Sequence, residues 1–253
     1  MAYVVSAPPG RQLDERAGLE HGAPVGVAAA RGAAAVLGGR GWLATCPAAF
    51  ADAILSAAAI IEVPRDRVIL HWGEPGRGLC GLAAGALYMA VAGPDGAFHK
   101  MHLGAPGLWL GETALLGETH RRIEVTTTVA SCIAWLPADE IDGLAAAYPE
   151  TWRHLGRLAA MNTTTAMASV SCLLIRDSAA RVAQKLLQVD PGDGPLLTLT
   201  QTALGEMVGL SRNTLNRVLA ALERAGAVQV GYARIQVRDR GRLEHVARSG
   251  ARD

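Results

Sequence analysis

Residues 197–230 read L-T-L-T-Q-T-A-L-G-E-M-V-G-L-S-R-N-T-L-N-R-V-L-A-A-L-E-R-A-G-A-V-Q-V, and this stretch decides how the rest of the chain is understood. Thr200 can cap a short helix that turns Leu204, Met207 and Val208 inward, and Gly209 can take the positive φ that ends it. Ser211 then caps a second helix whose apolar stripe is Leu215, Val218, Leu219 and Leu222. That stripe leaves Arg212, Asn213, Asn216 and Arg217 outside, toward the helix start. Two short helices joined by a tight glycine-containing turn, with hydrogen-bond donors gathered on the leading end of the second, predict a helix-turn-helix. The residue types suit that geometry. Arginine can donate twice to guanine O6 and N7, and asparagine can pair bidentately with adenine N6 and N7. Arg212, Asn213 and Arg217 are therefore the candidates for base readout. Thr200, Gln201, Thr202 and Ser211, short or polar groups near helix starts, suit phosphate oxygens that fix register without reading sequence.

Beyond Gly226 the runs A-V-Q-V and R-I-Q-V flank Gly231-Tyr232-Ala233 and predict a hairpin wing. Asp239 then stands as the N-cap of a last helix covering Leu243 and Val246. Charge points the same way. Residues 1–175 hold 12 basic and 15 acidic side chains and residues 176–253 hold 12 and 8, so the net charge of +1 divides into −3 and +4. A basic C-terminal segment on a near-neutral chain fits nucleic acid meeting that end. Charge alone would equally suit a solvated arginine-rich surface, so spacing carries the reading.

The remaining sequence sets the frame. With 253 residues, 50% of them hydrophobic and 19% charged, the chain has length and apolar content for one or two buried cores. The charge-free stretch at 78–94 is too short and too glycine-broken to span a bilayer, and residues 1–10 show no secretory pattern, so a cytoplasmic location and no membrane partner are expected. Cys46, Cys80, Cys132 and Cys172 lie at least 34 residues apart, which suits scattered structural thiols rather than a metal knuckle or a disulfide framework. Residues 1–38, rich in Ala, Gly, Pro and Arg, read as a loose arm. Residues 47–58 suit a short amphipathic helix with Phe50, Ile54 and Leu55 on one face. From 60 to 136 short apolar or alternating runs are separated by Gly and Pro, with Gly93-Pro94-Asp95-Gly96 as a turn, which predicts an antiparallel jelly-roll barrel. Helices follow at 138–147, 149–175 and 178–189. On the long one Met161, Thr165, Ala168, Cys172 and Ile175 form a stripe fitting either a two-helix seam or packing within the chain. The expected class is α+β: an arm at 1–38, a barrel at 39–148, a long helix and hinge at 149–176, and a winged helix-turn-helix at 177–253.

Several matches in order carry a resemblance: G-W-L at 41–43, R-V-I-L-H-W-G-E-P-G at 67–76, G-E-T-A-L-L at 111–116, the long helix, I-R-D-S-A-A-R at 175–181, and L-S-R-N-T-L-N-R at 210–217. Over nearly all of residues 41–248 the chain resembles the CRP/FNR transcription regulators. The resemblance implies a cyclic-nucleotide-binding-like barrel, a dimerising helix, a hinge near Asp177, a homodimer on double-stranded DNA, and RNA polymerase as a partner. It also places an effector pocket at Gly111 and Glu112 with Arg121 or Arg122. In nucleotide-binding members the arginine is followed by Ser or Ala, whereas here Arg122 or Ile123 follows. Their adenine-contacting Thr-Ser pair falls on Ala166 and Met167. These departures point away from cyclic AMP, toward an unknown small-molecule effector or none, and no cofactor is assigned.

Two other classes were weighed. His71, His99 and His102 raise a metal-dependent jelly-roll enzyme, but a strand puts 99 and 102 on opposite faces, so no metal site is assigned. A ligand-binding or scaffolding module with an inactive DNA-binding domain would dimerise without salt-dependent DNA binding. With no G-x-S-x-G, P-loop or H-E-x-x-H, no catalytic residue is assigned and the chain reads as a regulator rather than an enzyme.

Overall fold

The computed structural model describes residues 22–117, 120–190, 192, 199–231 and 234–250. The chain forms two units, one comprising residues 22–98 and 104–163, the other 99–103 and 164–250.

In chain order the elements begin with β1 (Ala23–Pro24), α1 (Val27–Gly39), a 3-10 turn at Leu43–Thr45 and α2 (Ala48–Ala57). The strands β2 (Ala59–Val63), β3 (Val68–Leu70), β4 (Gly78–Ala84), β5 (Leu87–Ala92), β6 (Phe98–Gly104) and β7 (Trp109–Leu110) follow. Then come α3 (Glu112–Leu115), β8 (Glu124–Thr127), β9 (Ser131–Pro137), α4 (Ala138–Ala147) and α5 (Thr151–Leu174). The chain closes with α6 (Ser178–Val189), α7 (Gln201–Val208), α8 (Arg212–Arg224), β10 (Val228–Gly231), β11 (Arg234–Val237) and α9 (Arg240–Ser249). One sheet runs β1-β2-β9-β4-β7 and the other β3-β8-β5-β6, with antiparallel pairing throughout the described ladders. The turn at 93–96 closes as expected: Gly93 N donates to Ala97 O at 2.8 Å and Ala97 N to Asp95 Oδ1 at 3.1 Å.

The core of the first unit lies on the helix-covered face of the larger sheet. Leu79 and Ala83 of β4 and Ala134 and Leu136 of β9 pack there with Leu37, Trp42, Phe50, Ile54, Trp109, Ile141, Leu155 and Leu158. Trp42 and Trp109 meet edge to face at 5.8 Å, and the Trp42 indole donates to His154 O at 2.8 Å, so the tryptophan is buried with its polar handle satisfied. Gly81 is required here, because a Cβ would stand 2.7 Å from the Trp109 ring.

Strands β2, β3, β5, β6, β8 and β9 and helices α2, α4, α5 and α6 stand where caps, prolines and apolar spacing put them. Three expectations change. The first half of the arm lies outside the described residues, but its second half is not loose: β1 pairs with β2, and α1 buries Ala33 and Leu37. With alanine on nearly every side, α1 offers too little contrast for a 3.6-residue period to show. Strand β4 was not anticipated, because six of its seven residues are buried and no alternation betrays it. On α5 two members of the small-residue stripe pack within the chain: Cys172 is buried with its thiol donating to Arg181 O at 3.3 Å, and Met161 lies against the core. Toward the end of α5 the exposed large apolar residues are instead Met167, Val170, Leu173 and Leu174, with Trp152 exposed near its start.

In the second unit, α6 through α9 enclose Val182, Leu186, Leu204, Val208, Leu215, Leu219, Leu222 and Leu243. Arg181 ties its parts together, donating to Ile175 O at 2.8 Å and Val208 O at 3.1 Å. Lys185 is fully buried, and its ammonium donates to Ser169 Oγ at 3.0 Å and Met101 O at 3.2 Å.

Candidate nucleic-acid interface

The helix pair is built by its caps. Thr200 accepts from Ala203 N, and Gly209 sits at φ 63° to end α7. Ser211 accepts from Thr214 N and opens α8. Each cap satisfies one of the amides a helix start leaves without an intrahelical partner, so the turn between the helices is set locally. Leu215, Leu219 and Leu222 hold α8 against the core, which obliges its polar side to face out. Arg212, Asn213, Asn216 and Arg217 are all exposed. The three residues expected to reach base edges thus share one outward face at the start of one helix.

The phosphate candidates gather beside them. Thr200, Gln201, Thr202, Arg212 and Gly231 line one concavity of about 800 Å³. A helix start, the recognition-helix arginine and the edge of the β10–β11 hairpin therefore border a single hollow. Ser211 is exposed at the head of α8, where its hydroxyl also contacts Thr214 Oγ1 at 3.1 Å. One wall residue was not anticipated. Glu206 lines the same hollow, and its carboxylate is paired with Lys100 at 3.0 Å, each side chain about one-third exposed. An acid facing a phosphate path needs such a partner, and no local sequence pattern links positions 100 and 206.

The hairpin and α9 are each fastened to the C-terminal end of α8. Val230 N donates to Glu223 Oε1 at 2.8 Å, and Arg242 of α9 donates to Ala225 O at 2.5 Å. Across the hairpin Arg238 donates to the Gln229 side chain. The tip, Tyr232 and Ala233, lies outside the described residues. Asp239 caps α9 by accepting from Arg242 N, and Leu243 is buried beneath it, as the sequence predicts.

The second constellation belongs to the first unit. Gly111 adopts φ 109° ahead of α3, and Glu112 is buried at 3% exposure. Its Oε1 accepts from Asn162 Nδ2 at 3.0 Å, and the same nitrogen donates to Trp109 O at 2.9 Å. Burial holds the Glu112 carboxyl above the usual range, opposed by the Asn162 hydrogen bond. The two arginines separate: Arg121 is 5% exposed, whereas Arg122 is exposed. Arg121 Nη2 donates to Gly78 O at 3.4 Å, its guanidinium lies 6.0 Å from the Trp135 ring centre, and Nη1 finds no hydrogen-bond partner among the described residues. Burial lowers the Arg121 pKa, and it pushes the neighbouring Cys80 thiol up to about 12. Asn162 is the residue of this group that sequence reading missed.

Among the described residues no three His, Cys, Asp or Glu side chains stand close enough to hold a metal ion. His102 is buried and His99 exposed, on opposite faces as the strand period requires. No described helix is long and apolar enough to cross a membrane.

A capped helix pair with donors on the second helix, a fastened hairpin and an N-terminal two-sheet domain define a winged helix-turn-helix DNA-binding protein with a sensor-type β domain. Comparison with known proteins agrees. Residues 60–148 match the cyclic nucleotide-binding domain family and residues 180–246 the Crp-like helix-turn-helix domain family. The chain is 28% identical over 185 residues to the cyclic AMP receptor protein of Thermus thermophilus, covering 73% of this chain and 86% of that one. It is 26% identical over 196 residues to the CRP-like cAMP-activated global transcriptional regulator of Mycobacterium tuberculosis, covering 74% and 88%. Among solved structures its fold is similar to that of FixK2 from Bradyrhizobium japonicum, at TM-score 0.65 and 21% identity over 75% of this chain and 96% of that one. The chain belongs to the CRP/FNR family and is a DNA-binding transcription regulator.

Proposed function

We propose that the protein acts as a homodimer on a pseudo-palindromic operator, with Arg212, Asn213 and Arg217 reading base edges and Thr200, Gln201, Thr202 and Ser211 positioning the backbone. The observation that carries this is the division of α8, where Leu215, Leu219 and Leu222 are buried while Arg212, Asn213 and Arg217 are exposed. Dimerisation rests on the exposed apolar run Met167, Val170, Leu173 and Leu174. Spaced at three and four residues on a 24-residue helix, these side chains suit a two-helix seam with a second copy. RNA polymerase is the partner the family suggests. The reading is a regulator and not an enzyme.

Control by cyclic AMP is not part of the proposal. Two relatives are named for cyclic AMP, but here Arg122 follows the buried Arg121 where a small residue would let phosphate approach the backbone, and Ala166 and Met167 offer no hydroxyl. A small molecule other than cyclic AMP, or none, sets the response. The first test is selection of an operator from genomic fragments, followed by titration of Arg217→Ala. The variant loses roughly 1 to 3 kcal/mol on the selected site and little on random DNA. Equal losses on both would refute the assignment of Arg217 to base readout.

A further inference from the structure

The family resemblance makes the Glu112 carboxylate the acceptor that a ligand hydroxyl would claim in an effector pocket with Gly111 and Arg121, and the inference here rests on that reading. The chain already supplies a donor to it. Both protons of the Asn162 amide are aimed at acceptors, Trp109 O at 2.9 Å and Glu112 Oε1 at 3.0 Å, so the amide's orientation follows from chemistry. Glu112 is buried at 3% exposure, and Trp109 is fixed in the core. Asn162 itself follows Leu158, which is 1% exposed, and Met161, which packs on the same core, so its helix turn is held where the amide meets the carboxylate.

We propose that Asn162 is a built-in occupant of the effector pocket, taking the Glu112 carboxylate from any ligand hydroxyl and fastening α5 to the Trp109–Glu112 segment with no ligand bound. A hydroxyl-bearing ligand would have to expel the amide from the buried Glu112 carboxylate and from Trp109 O, which discriminates against such ligands. The position of α5 is then set by the chain itself. Beside Glu112 the buried Arg121 Nη1 has no hydrogen-bond partner among the described residues, so a ligand that enters without displacing Asn162 does so through an acceptor group.

The test is hydrogen exchange by mass spectrometry on the full-length protein, with cyclic AMP as the hydroxyl-bearing probe and calorimetry to measure its binding. Wild type keeps slow exchange over residues 155–166 and does not respond to the probe. Asn162→Ala exchanges about tenfold faster there, with α8 unchanged as the internal control for folding, and Asn162→Ala combined with Arg122→Ser, which also opens the phosphate approach, gains cyclic AMP binding. Glu112→Gln, which preserves an acceptor, stays near wild type, and Asn162→Ala combined with Glu112→Ala loosens α5 no further than either single change. Unchanged exchange in Asn162→Ala overturns the tether. A loosened α5 with no gain in nucleotide binding even when Arg122→Ser is added overturns the pocket reading beneath it. Slowed exchange in wild type on adding cyclic AMP, lost in Glu112→Gln, overturns the claim that the carboxylate is taken. None of these readouts uses DNA, so their failure is separate from failure of the operator reading.

Discussion

Ser211 at the head of α8 has one duty in the fold and one proposed duty toward DNA, and the two can be separated. Ser211 caps the helix through Thr214 N and is assigned to a phosphate. Ser211→Ala removes the cap and costs about 1 kcal/mol, read as a lowered thermal midpoint. Ser211→Asp restores the cap, and with it the stability, but places a negative charge against the DNA backbone, so binding is lost while the melting curve stays near wild type. His102 gives a pH dependence. Burial first, and the nearby Lys185 second, lower its pKa from 6.5 to about 4. The unfolded chain therefore takes up a proton before the folded one does. The stability contributed by neutral His102 is present above about pH 6.5 and is lost as pH falls through about 4. Denaturant melts between those limits should show His102→Gln losing less stability than wild type on acidification, and parallel curves would contradict the assignment. At this scale the capping residues and the outward donors were legible in the sequence, because a cap acts within three residues and a helix face within four. Asn162, Lys100 and Lys185 were not, because their partners lie 50, 106 and 84 residues away and no periodicity marks them.

Among the elements, α5 makes the sharpest prediction. Its outer apolar residues need a partner surface, and a charge in the middle of them should deny it. Val170→Glu is expected to convert a dimer into a monomer in sedimentation velocity while far-UV circular dichroism keeps its helical signal, since Val170 is 58% exposed in the single chain. Cys172→Ser should leave the association state alone, because Cys172 faces inward. A monomeric wild type, or a Val170→Glu variant that still dimerises, would move the interface elsewhere. The same helix shows why elements are read unevenly. Its length followed from the absence of glycine and proline, but its seam did not: small residues can line either face, and only packing decides which. Helices α6, α7 and α8 were readable because leucine and valine recur against polar neighbours with a cap in front. Strand β4 and helix α1 were hidden for opposite reasons, one buried on both faces and the other nearly all alanine and glycine.

For the whole molecule, the proposed dimer reads two half-sites of one duplex with its two copies of α8. Because each copy enters a major groove, the half-sites must be presented on the same side of the DNA about one helical turn, roughly 34 Å, apart. Affinity for the selected operator should fall steeply with salt, since the phosphate contacts displace counterions. The most direct measurement is titration of wild-type protein against the selected operator and against the same operator with half a helical turn of DNA, about five base pairs, inserted between its half-sites. The account predicts that the insertion reduces affinity to near that of random DNA at the same ionic strength. Equal affinity for the two duplexes would contradict it.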